Sequence, residues 1–172
     1  MRLLLVLLIS MIVRSCDLGT SLDNSTDQDG ANKQGCVVAT WYRIAYELAD
    51  TLGRTKAVFK SGEDFIATLA ITNLTRRGQI YAHTGPVMVF SVRSGDSTVT
   101  SSTDGLAWPQ VVVLDTLRAG ETLRYTWRGP NSEAKIPHVS LTPGAYTVVG
   151  EFTTMFGGKD VVDPDPIAFV IE

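Results

Sequence analysis

Little in this sequence is equipped for chemistry. Two cysteines and two histidines are spread over 172 residues, too few for a Cys/His zinc centre or a CxxC redox pair. No G-x-S-x-G elbow, phosphate loop or dinucleotide fingerprint occurs, so no cofactor is implied. Distant residues can still assemble a catalytic triad, so the missing motif alone does not exclude hydrolysis. Basic residues are outnumbered, 15 Lys+Arg against 18 Asp+Glu. The chain therefore lacks the basic excess that phosphate-backbone binding requires, and nucleic acid is not an expected partner. No long helical period, fixed-length repeat or membrane-length apolar run is present.

What is present falls into three parts. Residues 1–15 carry Arg2, an apolar run from Leu3 to Val13, and then Arg14 and Ser15 before Cys16. The run is short for a bilayer span and has the flanks of a secretory signal. Val13-Arg14-Ser15-Cys16 resembles a bacterial lipobox with an unusual arginine, which implies lipidation at Cys16 and a membrane anchor. Each buried methylene of a lipid chain contributes about 0.8 kcal/mol, so two or more chains hold firmly. The alternative is a Cys16–Cys36 disulfide, which an exported protein can form; the two readings exclude one another. Loss of residues 1–15 removes two arginines and no acid, taking the charge from 15 − 18 = −3 to 13 − 18 = −5. Residues 16–36 are small, polar and acidic and read as a flexible tether.

Residues 37–172 read as one all-β domain. In "TWYRIAYEL" the side chains Tyr42, Ile44, Tyr46 and Leu48 alternate with polar ones. "EDFIATLAITN" repeats the pattern with Phe65, Ala67, Leu69 and Ile71, and "ETLRYTWRG" with Leu123, Tyr125 and Trp127. "KAVFK", "PVMVFSVRSG", "AWPQVVVLDTL" and "PIAFVIE" supply further strands, with Pro109 favouring an edge or a strand start. Seven to nine short strands separated by Gly, Asn and Pro turns predict an immunoglobulin-like antiparallel β-sandwich. "LTPGAYTVVGEF" supplies its corner. Pro143 fixes φ, Gly144 permits the bend, and Tyr146 offers a ring to the core and a hydroxyl to the backbone of the turn before it.

"SGEDFIATLAITN", the Gly105–Gln110 tract, the Leu117-Arg118-Ala119-Gly120-Glu121 turn leading to Trp127, and the Pro143-Gly144-x-Tyr146 corner occur in this order from about Ala57 to Thr154. Together they resemble the BsuPI-type intracellular proteinase inhibitor domain. The resemblance implies an immunoglobulin-like sandwich, no enzymatic activity, and a serine proteinase as partner. Two features depart from that family: "GDSTVTSSTDG" replaces an aromatic-rich segment between middle strands, and an export signal does not suit an intracellular inhibitor.

Rigid-loop inhibitors present an extended segment to the proteinase cleft. Thr75–Pro86, Ser94–Leu106 and Gly129–Ser140 are long enough, and the last holds Lys135 and Pro137, where Lys135 suits an acidic specificity pocket. Each also reads as an ordinary solvated loop. Asp160, Asp163 and Asp165 offer hard oxygen ligands for calcium, against a plain Pro-rich turn. His83 and His138 lie in turn-like stretches. Trp41, Trp108 and Trp127 could stack on a sugar if exposed, although Trp127 alternates with core residues. The expected function is non-catalytic binding as a proteinase inhibitor-like domain of an exported lipoprotein. The alternative is a structural or assembly module of the cell envelope, with another envelope protein as partner.

Overall fold

Alternation decides the two large layers. The computed structural model describes residues 35–130 and 139–172, and every regular element among them is a strand. One sheet has the order β1 (Gly35–Val38), β2 (Tyr42–Asp50), β4 (Phe65–Asn73), β9 (Thr122–Gly129). The other has the order β3 (Val58–Phe59), β11 (Ile167–Ile171), β10 (Gly144–Phe152), β6 (Met88–Ser94), β7 (Ser97–Ser101). A third, two-stranded sheet joins β5 (Gln79–His83) to β8 (Val113–Leu117). Of the strand pairings among the described residues, only β3 with β11 is parallel.

Register carries the alternation across the first sheet. Ile44 faces Ile71, Tyr46 faces Leu69, and Leu48 faces Ala67. Ala67 in turn faces Trp127, and Leu69 faces Tyr125. One face is therefore apolar over three strands, and it packs on the inner face of the second sheet. Phe90 of β6 stacks on Tyr46, Tyr125 and Trp127 of the opposite layer. Phe65 of β4 meets Phe169 of β11 edge-on at 5.4 Å between ring centroids. Burial of this apolar surface, at about 25 cal/mol per Å2, is the main favourable term holding the layers together. Gly129 is required here by space: a Cβ on it would fall 2.8 Å from both the Phe65 ring and the Trp127 ring.

Eleven strands are described where the pattern resolves seven to nine. The additions are β1, β5 and β7, each of five residues or fewer, with half or more of their residues short of full burial. They displace three boundaries. Gly35 and Cys36 open β1, opposite Tyr46 and Ala45, and do not close a tether. β5 occupies the expected loop Thr75–Pro86, and β7 forms a hairpin with β6 inside the expected loop Ser94–Leu106. Residues 1–34 and 131–138 lie outside the described residues, and with them Cys16, Lys135, Pro137 and His138.

Two buried tyrosines give opposite expectations for one substitution. Tyr146 leaves the Pro143–Gly144 turn, packs its ring on Phe169, and donates from its hydroxyl to the Thr142 carbonyl at 2.9 Å. Tyr146→Phe removes that bond and is expected to cost about 1 kcal/mol. Tyr46 lies deeper, and its hydroxyl finds no partner among the described residues. Burial pushes that hydroxyl's pKa well above the usual tyrosine value. Tyr46→Phe removes a desolvated polar atom at nearly constant shape and is expected to leave stability unchanged or raise it. Denaturant melts of the two variants, with equal m-values, check both signs.

Candidate functional site

One asparagine anchors the end of the small β5–β8 sheet to the sandwich. Asn73 ends β4 with its side chain fully buried. Its Nδ2 donates towards the carbonyls of Arg77, Leu117 and Arg118 at 2.7, 3.0 and 3.1 Å. Its Oδ1 accepts from the Thr75 amide and hydroxyl at 2.9 and 2.8 Å. Its backbone pairs with Gly120 and Glu121. The Leu117-Arg118-Ala119-Gly120-Glu121 turn is thus docked on the end of β4, with Glu121 closing it through the Arg118 amide. The approach to β5 and the exit from β8 meet at a single side chain.

Beneath the sheet, Tyr81 is buried against Phe156, and its hydroxyl donates to Asp115 at 3.2 Å. Burial, helped by the Asp115 carboxylate, pushes the Tyr81 pKa up to about 12, so it stays a neutral donor. On the far edge of β5, the Gly157 amide donates to the Ile80 carbonyl at 2.7 Å, and the Thr154 hydroxyl to the Ala82 carbonyl at 2.6 Å. Residues opposite one another in an antiparallel pair share a face. Tyr81 opposite Asp115 therefore marks the inner face, and Ala82 opposite Leu114 the outer one.

That outer face is apolar and uncovered. Ile80 is 61% exposed, Leu114 73% and Met155 54%; the three surround a shallow depression with Ala82. Beyond Ala82 the surface sinks into a hollow of about 630 Å3 walled by Pro86, Val89, Leu106, Trp108 and Val112. Trp108 is half-exposed and lies over Gly85. The strip runs unbroken from Met155 to Trp108, because Ala82 borders both depressions. The stretch Ala107–Val112 belongs to no strand, and its backbone amides make no hydrogen bond among the described residues. Among the described residues β8 pairs only with β5, and no described strand lies on its other edge.

The residues singled out from sequence separate on this map. His83 lines the hollow, with Nδ1 donating to the Gly85 carbonyl at 2.6 Å and its ring stacked on Tyr81. Trp127 is core, Trp41 packs edge-on against Tyr42 beneath Lys159, and Trp108 stands on the strip with no aromatic ring against it among the described residues. Asp163 accepts from the Phe152 amide at 2.8 Å, and no group of three metal-binding side chains forms among the described residues. Pro143, Gly144 and Tyr146 form the turn at the start of β10. The strip itself was not expected. "AWPQVVVLDTL" reads as a strand that Pro109 places at an edge or a strand start, and nothing in it says which of its apolar side chains stay uncovered.

No family profile matches the chain, and no curated protein matches it. Solved structures that overlap with it include β-glucosidases. One from Listeria innocua in complex with glucose is 17% identical, over 73% of this chain and 16% of that one, with a TM-score of 0.37. One from Erythrobacter marinus is 11% identical over 75% and 15%, at 0.38. One from intestinal bacteria, involved in saponin metabolism, is 14% identical over 75% and 16%, at 0.36. The chain spans about one sixth of the length of these enzymes, and overlaps this loose carry no argument about activity.

Proposed function

We propose that the protein is a non-catalytic contact domain: an exported sandwich, lipid-anchored through Cys16, that acts by binding another polypeptide. The carrying observation is the strip from Met155 to Trp108 beside an open strand edge. Soluble domains blunt such edges with charge, bulges or covering chain. Here Gln110–Leu114 carries no charge, and four of its five residues are large, apolar and exposed.

The BsuPI-type resemblance supports an inhibitor-like version of this reading. Trp108, preceding Pro109, is restricted to extended backbone, and the unpaired amides of Ala107–Val112 suit pairing with a proteinase cleft. Lys135 and Pro137, in the long segment Gly129–Ser140, remain the candidate contact residues read from the sequence. The strip's extent favours a second version, an assembly module of the envelope that inhibits nothing. Titration of trypsin-, chymotrypsin- and subtilisin-type proteinases with the full chain separates the two. A stoichiometric endpoint supports inhibition. Unchanged rates, with an envelope protein retained on the immobilised chain and released by Leu114→Asp, support assembly. Turnover of a substrate by the chain itself overturns both.

A further inference from the structure

The strip has a shape that bears on what covers it. One end protrudes: Ile80, Leu114 and Met155 each leave more than half of their surface to solvent. The other end is hollow, about 630 Å3 between Trp108, Leu106 and Val89. Ala82 lies between the ends and borders both. A two-fold rotation near Ala82 exchanges the ends, placing each copy's protrusion over its partner's hollow, as a closed symmetric contact requires.

Area and charge agree with that arrangement. The six large apolar side chains of the strip, Ile80, Leu106, Trp108, Val112, Leu114 and Met155, leave on the order of 600 Å2 exposed, at the upper end of what an uncovered monomer tolerates. A stable interface buries about 800 Å2 per partner, of which about 65% is apolar in homodimers. The strip supplies that apolar share. None of its six side chains is ionisable, and no Asp, Glu, Lys or Arg lines either depression; His83 lines the hollow with its Nδ1 on the Gly85 carbonyl.

We infer that the strip is the interface of a symmetric homodimer, with Leu114 of each copy seated against Trp108 and Leu106 of the other. The inference rests on the proposal that this face is a contact surface and names its occupant. Among the described residues nothing covers either end, and the dimer covers both with one contact.

Sedimentation equilibrium of the full chain in density-matched detergent tests this, with wild type, Leu114→Asp at the protrusion and Trp108→Ala at the hollow. Both sites are exposed, so unchanged melting curves are expected and verify folding. The expected result is a dimer whose dissociation constant rises on the order of 100-fold in either variant. A dimer indifferent to both substitutions overturns the inference. A monomeric wild type that binds a different envelope protein, and loses it on Leu114→Asp, overturns the homodimer and leaves the contact surface standing. A monomer whose partners ignore both substitutions overturns the two together.

Discussion

Phe65→Ala lowers stability by about 4 kcal/mol, the upper part of the range for truncating a buried aromatic. Phe65 is fully buried on β4. Its ring meets Phe59 at 5.9 Å, Phe169 at 5.4 Å and Trp127 at 5.4 Å, all edge-on. Those partners come from β3, β11 and β9, so both layers are joined at this ring. Truncation leaves a void bordered by three rigid rings and by Gly129, which has no side chain to fall inward. Collapse is therefore poor, and the cavity term adds to the lost transfer energy. The expected fall in melting temperature is roughly 10–15 °C by calorimetry. A fall under a few degrees would show that the layers do not meet at this cluster.

Asn73→Ala acts on the site more than on the core. Three carbonyls converge on one amide nitrogen, and two side-chain hydrogens serve them, one of them shared. Removing the amide strands these acceptors and frees the Thr75 amide, at about 3 kcal/mol in total. The loss should be local first: amides of β5 and β8 exchange faster while β4 and β10 stay protected. Asn73→Asp has the same shape but no donor, and sets a carboxylate against three carbonyl oxygens. Its folded-state pKa is raised, so the damage is greatest at neutral pH and eases as pH falls and protonation restores one donor. Denaturant melts at pH 7 and pH 4 read the difference. Equal stability of the Asn, Ala and Asp chains at pH 7 would remove Asn73 from its role.

The architecture was legible where one face of a strand is buried and the other is not. Tyr42, Ile44, Tyr46 and Leu48, and Phe65 through Ile71, announce their faces by alternation, and the structure buries them as written. β5 was hidden because only Tyr81 of its five residues is buried, which gives periodicity too little to act on. The strip was hidden for a different reason. Gln110–Leu114 satisfies the pattern of a core strand, and composition cannot distinguish a run covered by its own chain from one awaiting another. Asn73 left a local trace, since an asparagine two residues before a threonine suits an Asx turn. Its bonds to Leu117 and Arg118, more than forty residues away, left none.

Hydrogen exchange across the full chain, dilute and concentrated, addresses the contact surface most directly. The amides of Ala107–Val112, Pro109 apart, have no partner among the described residues and should exchange fast in dilute protein. Association should slow them together with Ile80–Ala82 and Val113–Leu114, with no change along β2, β4 or β10. Protection that arises elsewhere on the sandwich, or a strip that exchanges at one rate under both conditions, would contradict the assignment.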